Sequence, residues 1–131
     1  MSPDKIQLTE EFSANSIVLY KAWLNGEKHE AFTGGGPARF KNEAGSNFSA
    51  WDGYISGKIL ELSEGKRILH SWRTTDFPEN AEDSLLEILL EDNGSGCRLQ
   101  LNHWNIPDGQ VEDYKKGWVD FYLKPMKAYF N

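Results

Sequence analysis

Three histidines (His29, His70, His103), one cysteine (Cys97) and five tryptophans are the side chains with the most chemistry to offer. The histidines form neither a His-x-x-x-His pair nor a His-Glu-x-x-His motif. A zinc site would therefore need distant histidines to converge with a carboxylate. One cysteine excludes both an intrachain disulfide and a cysteine-built zinc site. No Gly-x-Ser-x-Gly elbow presents a nucleophile. The run Gly34-Gly35-Gly36 lacks the Gly-Lys-Ser/Thr ending of a phosphate loop and does not follow a strand. It reads as a loop near a cavity mouth. The sequence thus predicts no metal, no cofactor and no catalytic residue, and no reaction is legible in it.

Strand parity gives the histidines another use. Alternation over Arg67–Thr75 puts Ile68, His70 and Trp72 on one face. Over Cys97–Asn105 it puts Leu99, Leu101 and His103 on one face, with Cys97 as a small core residue. Both histidines then point inward. Each is either a hydrogen-bonded core histidine or a polar anchor in an apolar cavity, and both readings stay open. Burial disfavours the imidazolium, so both rings should be neutral at pH 7, with Trp72 and Tyr122 as the nearest inward polar groups. Trp118 and Tyr122 lie one helical turn apart. Trp51 and Tyr54 flank an Asp52-Gly53 turn, and Phe32 precedes the glycine run. Buried indole N–H and phenol O–H groups need partners. The candidate ligand cavity is His70, Trp72, His103, Trp118, Tyr122, Phe32 and Trp51. Trp104 has the parity opposite to His103 and belongs on the outer face or rim. Glu87 and Glu91 point outward, and the acid-rich stretch Glu79–Asp92 reads as a solvated face.

The elements that must position these residues follow from periodicity. Lys5–Phe12 alternates as a half-buried strand, with Glu10 interrupting its apolar face. Ser13 and Asn15 offer helix-start chemistry, Ile17, Tyr20 and Leu24 follow at helical spacing, and Gly26 should end that helix. Glu27–Phe32 is a second short helix. Candidate strands are Ala38–Asn42, Asn47–Trp51, Tyr54–Leu62, Arg67–Thr75, Ser84–Asp92 and Cys97–Asn105, joined by turn-rich breaks that imply an antiparallel meander. Gln110–Asn131 is a long amphipathic helix. Val111, Tyr114, Trp118, Tyr122, Met126 and Tyr129 form its stripe, and Asp113, Lys116, Asp120, Lys124 and Lys127 lie opposite. Asp120 and Lys124 are a favourable pair four apart, and Pro125 should kink the helix. The fold class is α+β: a curved antiparallel sheet of six or seven strands wrapped on a long C-terminal helix, as one domain over 1–131.

This order, with several motifs, resembles the START-like helix-grip superfamily. Within it the chain is similar to the family of the C-terminal domain of the activator of heat-shock protein 90 ATPase. The residues carrying the likeness are Phe48-Ser49-Ala50-Trp51-Asp52-Gly53-Tyr54-Ile55-Ser56-Gly57, Ile59–Leu62, Arg67-Ile68-Leu69-His70-Ser71-Trp72-Arg73 and Ile106-Pro107. Gly117-Trp118, Phe121-Tyr122, Pro125-Met126-Lys127 and Tyr129-Phe130 complete it. The eukaryotic activator also carries an N-terminal chaperone-binding domain. Here Met1 leads directly into the first strand, so the resemblance implies the fold more than the co-chaperone activity, and a small bacterial protein is the expected setting.

Composition narrows the partners. A net charge of -6 makes nucleic acid and anionic membranes poor partners. No signal peptide and no run of ~20 apolar residues is visible, so a cytoplasmic protein is expected. The first functional expectation is a binding module for an apolar small molecule. A regulator of the heat-shock protein 90 chaperone is the alternative that the resemblance implies, and a cyclase or aromatase-type enzyme is a second.

Overall fold

The computed structural model describes residues 5–130. Strand β1 (Ile6–Phe12) leads into helices α1 (Ser16–Trp23) and α2 (Gly26–Thr33). Five strands follow: β2 (Asn47–Ala50), β3 (Ile55–Ser63), β4 (Arg67–Thr74), β5 (Ser84–Asp92) and β6 (Cys97–Trp104). They form one six-stranded antiparallel sheet in the order β1-β6-β5-β4-β3-β2, in which β1 crosses to pair with β6. The C-terminal helix comprises α3 (Val111–Gly117), a π-helical stretch (Trp118–Leu123) and α4 (Lys124–Phe130). The expected final helical residue, Asn131, and the segment before Lys5 lie outside the described residues.

Alternation sets the core. Ile68, His70, Trp72 and Thr74 of β4 are buried, as are Ser84, Leu86, Ile88 and Leu90 of β5 and Cys97, Leu99, Leu101 and His103 of β6. Register places His70 opposite Leu86, and Leu86 opposite His103, so all three side chains project to one face. The helices cover that face through Leu19, Trp23, Phe32, Trp118, Tyr122 and Met126. A register shift between Ile59 and Glu61 marks a bulge in β3. Glu10 meets Lys127 Nζ at 3.3 Å, and Lys124 Nζ meets Asp120 Oδ1 at 3.4 Å.

Four local expectations are corrected. Ala38–Asn42 is not a strand: only Arg39 pairs, with Ser49 of β2. Its Phe40 ring instead turns inward and stacks on His29 and Phe48 at 4.4 and 4.9 Å. Gly26 begins α2 rather than ending α1. Asn25 caps α2 by accepting from the Lys28 amide at 3.0 Å. Glycine is needed there because a Cβ would lie 2.5 Å from the Ala38 carbonyl oxygen. Asn15 stands at the start of α1 but makes no side-chain cap; Asp92 Oδ1 accepts from the Ser16 amide at 2.8 Å instead.

The fourth correction concerns the long helix. Pro125 has no N–H and its ring clashes with the carbonyl four residues back, that of Phe121. The chain widens just before it, and the Lys124 amide donates five residues back, to Val119. A wider turn advances less per residue, so inward positions fall later than a pure α-helix predicts. Tyr129 is therefore 51% exposed. Phe130 takes the inward place against Phe12 and Phe32, at 6.4 and 5.7 Å.

Candidate functional site: three histidine networks and an aromatic cleft

Each buried histidine has both ring nitrogens engaged, and donor chemistry fixes each tautomer. His70 Nδ1 lies 2.8 Å from the Ser71 carbonyl, so it carries the proton. His70 Nε2 then accepts from the Trp23 indole at 3.2 Å. His29 Nδ1 donates to the Trp23 carbonyl at 2.9 Å, and its Nε2 accepts from the Tyr122 hydroxyl at 2.8 Å. The Trp51 indole donates to that hydroxyl at 3.2 Å. His103 is the opposite tautomer. Its Nδ1 accepts from the Trp118 indole at 3.0 Å. The Ser84 hydroxyl gives its hydrogen to the Trp72 carbonyl at 2.6 Å, so His103 Nε2 donates to Ser84 Oγ at 2.8 Å.

All three rings are held neutral. Burial pulls His29 and His103 down to about 3 and His70 to about 4. Protonation would also bring a hydrogen against the indole or hydroxyl that now donates to the ring. Burial raises Tyr122 above its ordinary range and Cys97 to about 11.

A cleft of about 510 Å³ opens between the C-terminal helix and one end of the sheet. The helix contributes Gln110, Asp113, Tyr114, Gly117, Trp118, Phe121 and Tyr122. The sheet side contributes Trp51, Tyr54, Ile55, Trp72 and Asp76. Of the residues expected in the cavity, Trp51, Trp72, Trp118 and Tyr122 form its walls. His70, His103 and Phe32 are buried elsewhere in the core and do not line it.

The turn bearing Trp51 is strained. Trp51 and Asp52 have φ of 56° and 55°, a region costly for residues with a Cβ. The glycine run secures it: Asp52 donates its amide to the Pro37 carbonyl at 2.9 Å. Gly35 lies flat on the indole, where a Cβ would be 2.4 Å from ring atoms. The far wall is a hydrogen-bonded rim. Tyr54 donates to Asp76 Oδ2 at 2.6 Å. Tyr114 donates to Gln110 Oε1 at 2.6 Å and therefore accepts from Thr74 Oγ1 at 2.7 Å. Burial, then the bond to Asp76, pushes Tyr54 up to about 12.

Sequence reasoning did not single out Trp23, His29 or Ser84 for the networks, nor Asp76, Gln110, Asp113 and Phe121 for the cleft. His29 carried one signal: it precedes Phe32 by three, on the same helix face.

The profile of the family described as Activator of Hsp90 ATPase homolog 1-like protein matches residues 13–131. The chain belongs to this family. The human "Activator of 90 kDa heat shock protein ATPase homolog 1" is 29% identical over 127 residues, covering 97% of this chain. The Dictyostelium discoideum homologue is 28% identical over 126 residues, covering 96% of this chain. The chain spans only 37% and 33% of the length of these relatives. Among solved structures, an HSP90 activator from Plasmodium falciparum superposes with a TM-score of 0.89 at 24% identity, covering 96% of this chain and 95% of that one. A Chromobacterium violaceum protein gives 0.79 at 26%, covering 98% of both chains. These two solved structures share the chain's helix-grip-like architecture.

Proposed function

We propose that the protein is a binding module that takes a small, largely apolar molecule in the cleft between the C-terminal helix and the sheet. The observation that carries this reading is the cleft itself. Its volume of about 510 Å³ falls in the ~300–1,000 Å³ range of small-molecule sites, and aromatic walls with a few placed polar groups are the usual composition of such sites. Trp51, Trp72, Trp118 and Tyr122 would form the contact surface. His70, His103 and Phe32 would support the wall from behind. The histidines' ring nitrogens are already engaged by Trp23, Trp118, Ser71 and Ser84. The neutral, saturated networks supply rigidity rather than acid–base chemistry, which favours binding over turnover.

Indole N–H resonances test the reading. A panel of flat apolar compounds should shift the signals of Trp51, Trp72 and Trp118 and leave Trp104, on the outer sheet face, in place. Absence of any shift at the three cleft indoles overturns it.

A second reading is regulation of a heat-shock protein 90 type chaperone in the cytoplasm. It is supported by the names of the relatives, activators of a 90 kDa heat shock protein ATPase of which this chain spans about a third. Stimulation of a purified chaperone's ATPase by the full chain would establish this reading, and unchanged turnover at saturating chain would exclude it.

A further inference from the structure

The cleft carries a charge pattern that its apolar walls do not explain. Among the described residues, Asp76 and Asp113 are its only formally charged lining residues, and no lysine, arginine or histidine faces it. Neither carboxylate is in an ion pair among the described residues. Tyr54 engages one oxygen of Asp76, and no side chain among the described residues donates to the other. Arg73, between Trp72 and Thr74 on β4, has the opposite parity. Asp83 and the carbonyls of Ala81 and Pro78 hold its guanidinium, at 2.7, 3.0 and 3.2 Å.

The rings add electrostatic potential of the same sign. Trp51 and Phe121 meet at 5.7 Å and 71°, Trp72 and Tyr114 at 5.0 Å and 83°, and Trp118 and Tyr122 at 4.8 Å and 53°. Rings so inclined present faces as well as edges to the space between them, and an aromatic face is the negative pole of its quadrupole. Phe121 is 57% exposed and Tyr54 38%, so the mouth keeps two aromatic rings in contact with water. An anion would meet two carboxylates with no counter-charge. A neutral molecule would leave both unused. A cation is attracted by the carboxylates and by the ring faces together, and the chain's net charge of -6 draws cations toward it.

We propose that the cleft selects an organic cation, an ammonium group on an apolar body. This rests on the reading of the cleft as a small-molecule site. The ammonium would sit between Asp76 and Asp113, against the faces of Trp51, Tyr114 and Phe121, with the apolar body toward Trp72 and Trp118.

Choline and its neutral carbon isostere, 3,3-dimethylbutan-1-ol, separate charge from shape. With the full chain, choline should shift the cleft indole signals with a Kd about tenfold lower than the alcohol. Asp76→Asn with Asp113→Asn should bring the ratio of the two Kd values close to one. Both positions are exposed, so the fold is not at stake, and an unchanged indole spectrum of the free variant checks this. Equal or tighter binding of the alcohol overturns the cation proposal and leaves the cleft reading standing. So does a preference that survives in the double variant. If choline gives no shift but the flat apolar panel does, the cation proposal falls alone. If neither gives a shift, both fall.

Discussion

Lowering the pH should unfold this protein in a window set by its histidines. In the folded state burial holds His29 and His103 at about 3 and His70 at about 4, against 6.5 for the free side chain. The folded values are depressed, so between them and 6.5 the unfolded chain binds more protons. The associated stability is fully present above 6.5 and is lost as pH falls toward the folded values. Each histidine contributes a slope of about 1.4 kcal/mol per pH unit once its unfolded form is charged. Three together approach about 4 kcal/mol per unit, and about 6 kcal/mol is gone by pH 5. A domain of this size holds about 5–15 kcal/mol in all, so this loss unfolds a domain at the low end of that range just above about pH 5, and one holding about 10 kcal/mol near about pH 4. Ordinary carboxylates titrate in the unfolded chain near ~4, so the region from pH 6.5 to 5.5 belongs to the histidines. Urea unfolding at half-unit steps from pH 8 to 5 measures the curve, and its slope at pH 5.5 should correspond to an uptake of nearly three protons. A stability that stays flat from pH 7.5 to 5.5 would refute the reasoning. So would ring resonances that titrate near 6.5 in the folded protein.

Two substitutions probe the networks and the cleft wall. Tyr122→Phe removes the donor to His29 Nε2 and the acceptor for Trp51, leaving a buried acceptor unmade at a cost of about 1–3 kcal/mol. Urea unfolding at pH 7.5 reads that loss. The His29 resonance should then titrate at higher pH than in the parent, because the proton no longer competes with a donated hydrogen bond. Gly35→Ala forces the Trp51 indole off its seat, where the new Cβ would be 2.4 Å away. It should destabilise by about 1–3 kcal/mol, as overpacking does. It should also move the Trp51 indole signal while leaving Trp23 in place, and an unmoved Trp51 signal would show that the glycine run does not position this wall.

The parts of this fold that were legible in the sequence are those governed by period. Alternation put His70, Trp72 and His103 on the covered face because each strand's neighbours at two-residue spacing are apolar. The 3.6-residue stripe put Trp118, Tyr122 and Met126 inward on the same basis. Periodicity stops at the contact between elements. The Trp23 indole reaches His70 from a helix 47 positions earlier in the chain, and only the docking of α1 on the sheet decides that partner. Pro125 announced a break in the helix, but whether the break becomes a bend or a wide turn depends on what the helix packs against. The sequence stripe therefore ended on Tyr129, where the folded chain uses Phe130. Asp76 lies outside the regular elements, where no periodic signal exists, and Gln110 opened the expected helix as a polar residue that its apolar stripe left out, so neither was marked as part of the cleft's polar rim.

The networks and the cleft meet on the wide turn of the C-terminal helix, and this relation explains how one chain has both. His103 holds the turn from the sheet through Trp118, and His29 holds it from α2 through Tyr122. Trp51 holds Tyr122 from the strained turn between β2 and β3. Anchors from three separate elements fix the position of a stretch that lacks ordinary α-helical geometry. The same stretch turns Phe121 outward beside Trp51, and the far sides of Trp118 and Tyr122 become cleft wall. Buried histidines and an open aromatic cleft are thus two faces of one device. The polar interior is spent on holding the wall, and the proposed recognition would fall to the rings and the two carboxylates at the rim. On the proposed reading of the cleft as a small-molecule site, a variant that loosens an anchor, such as Tyr122→Phe, should raise the Kd of the flat apolar compounds read at the cleft indoles, even though the anchoring histidines do not line the cleft.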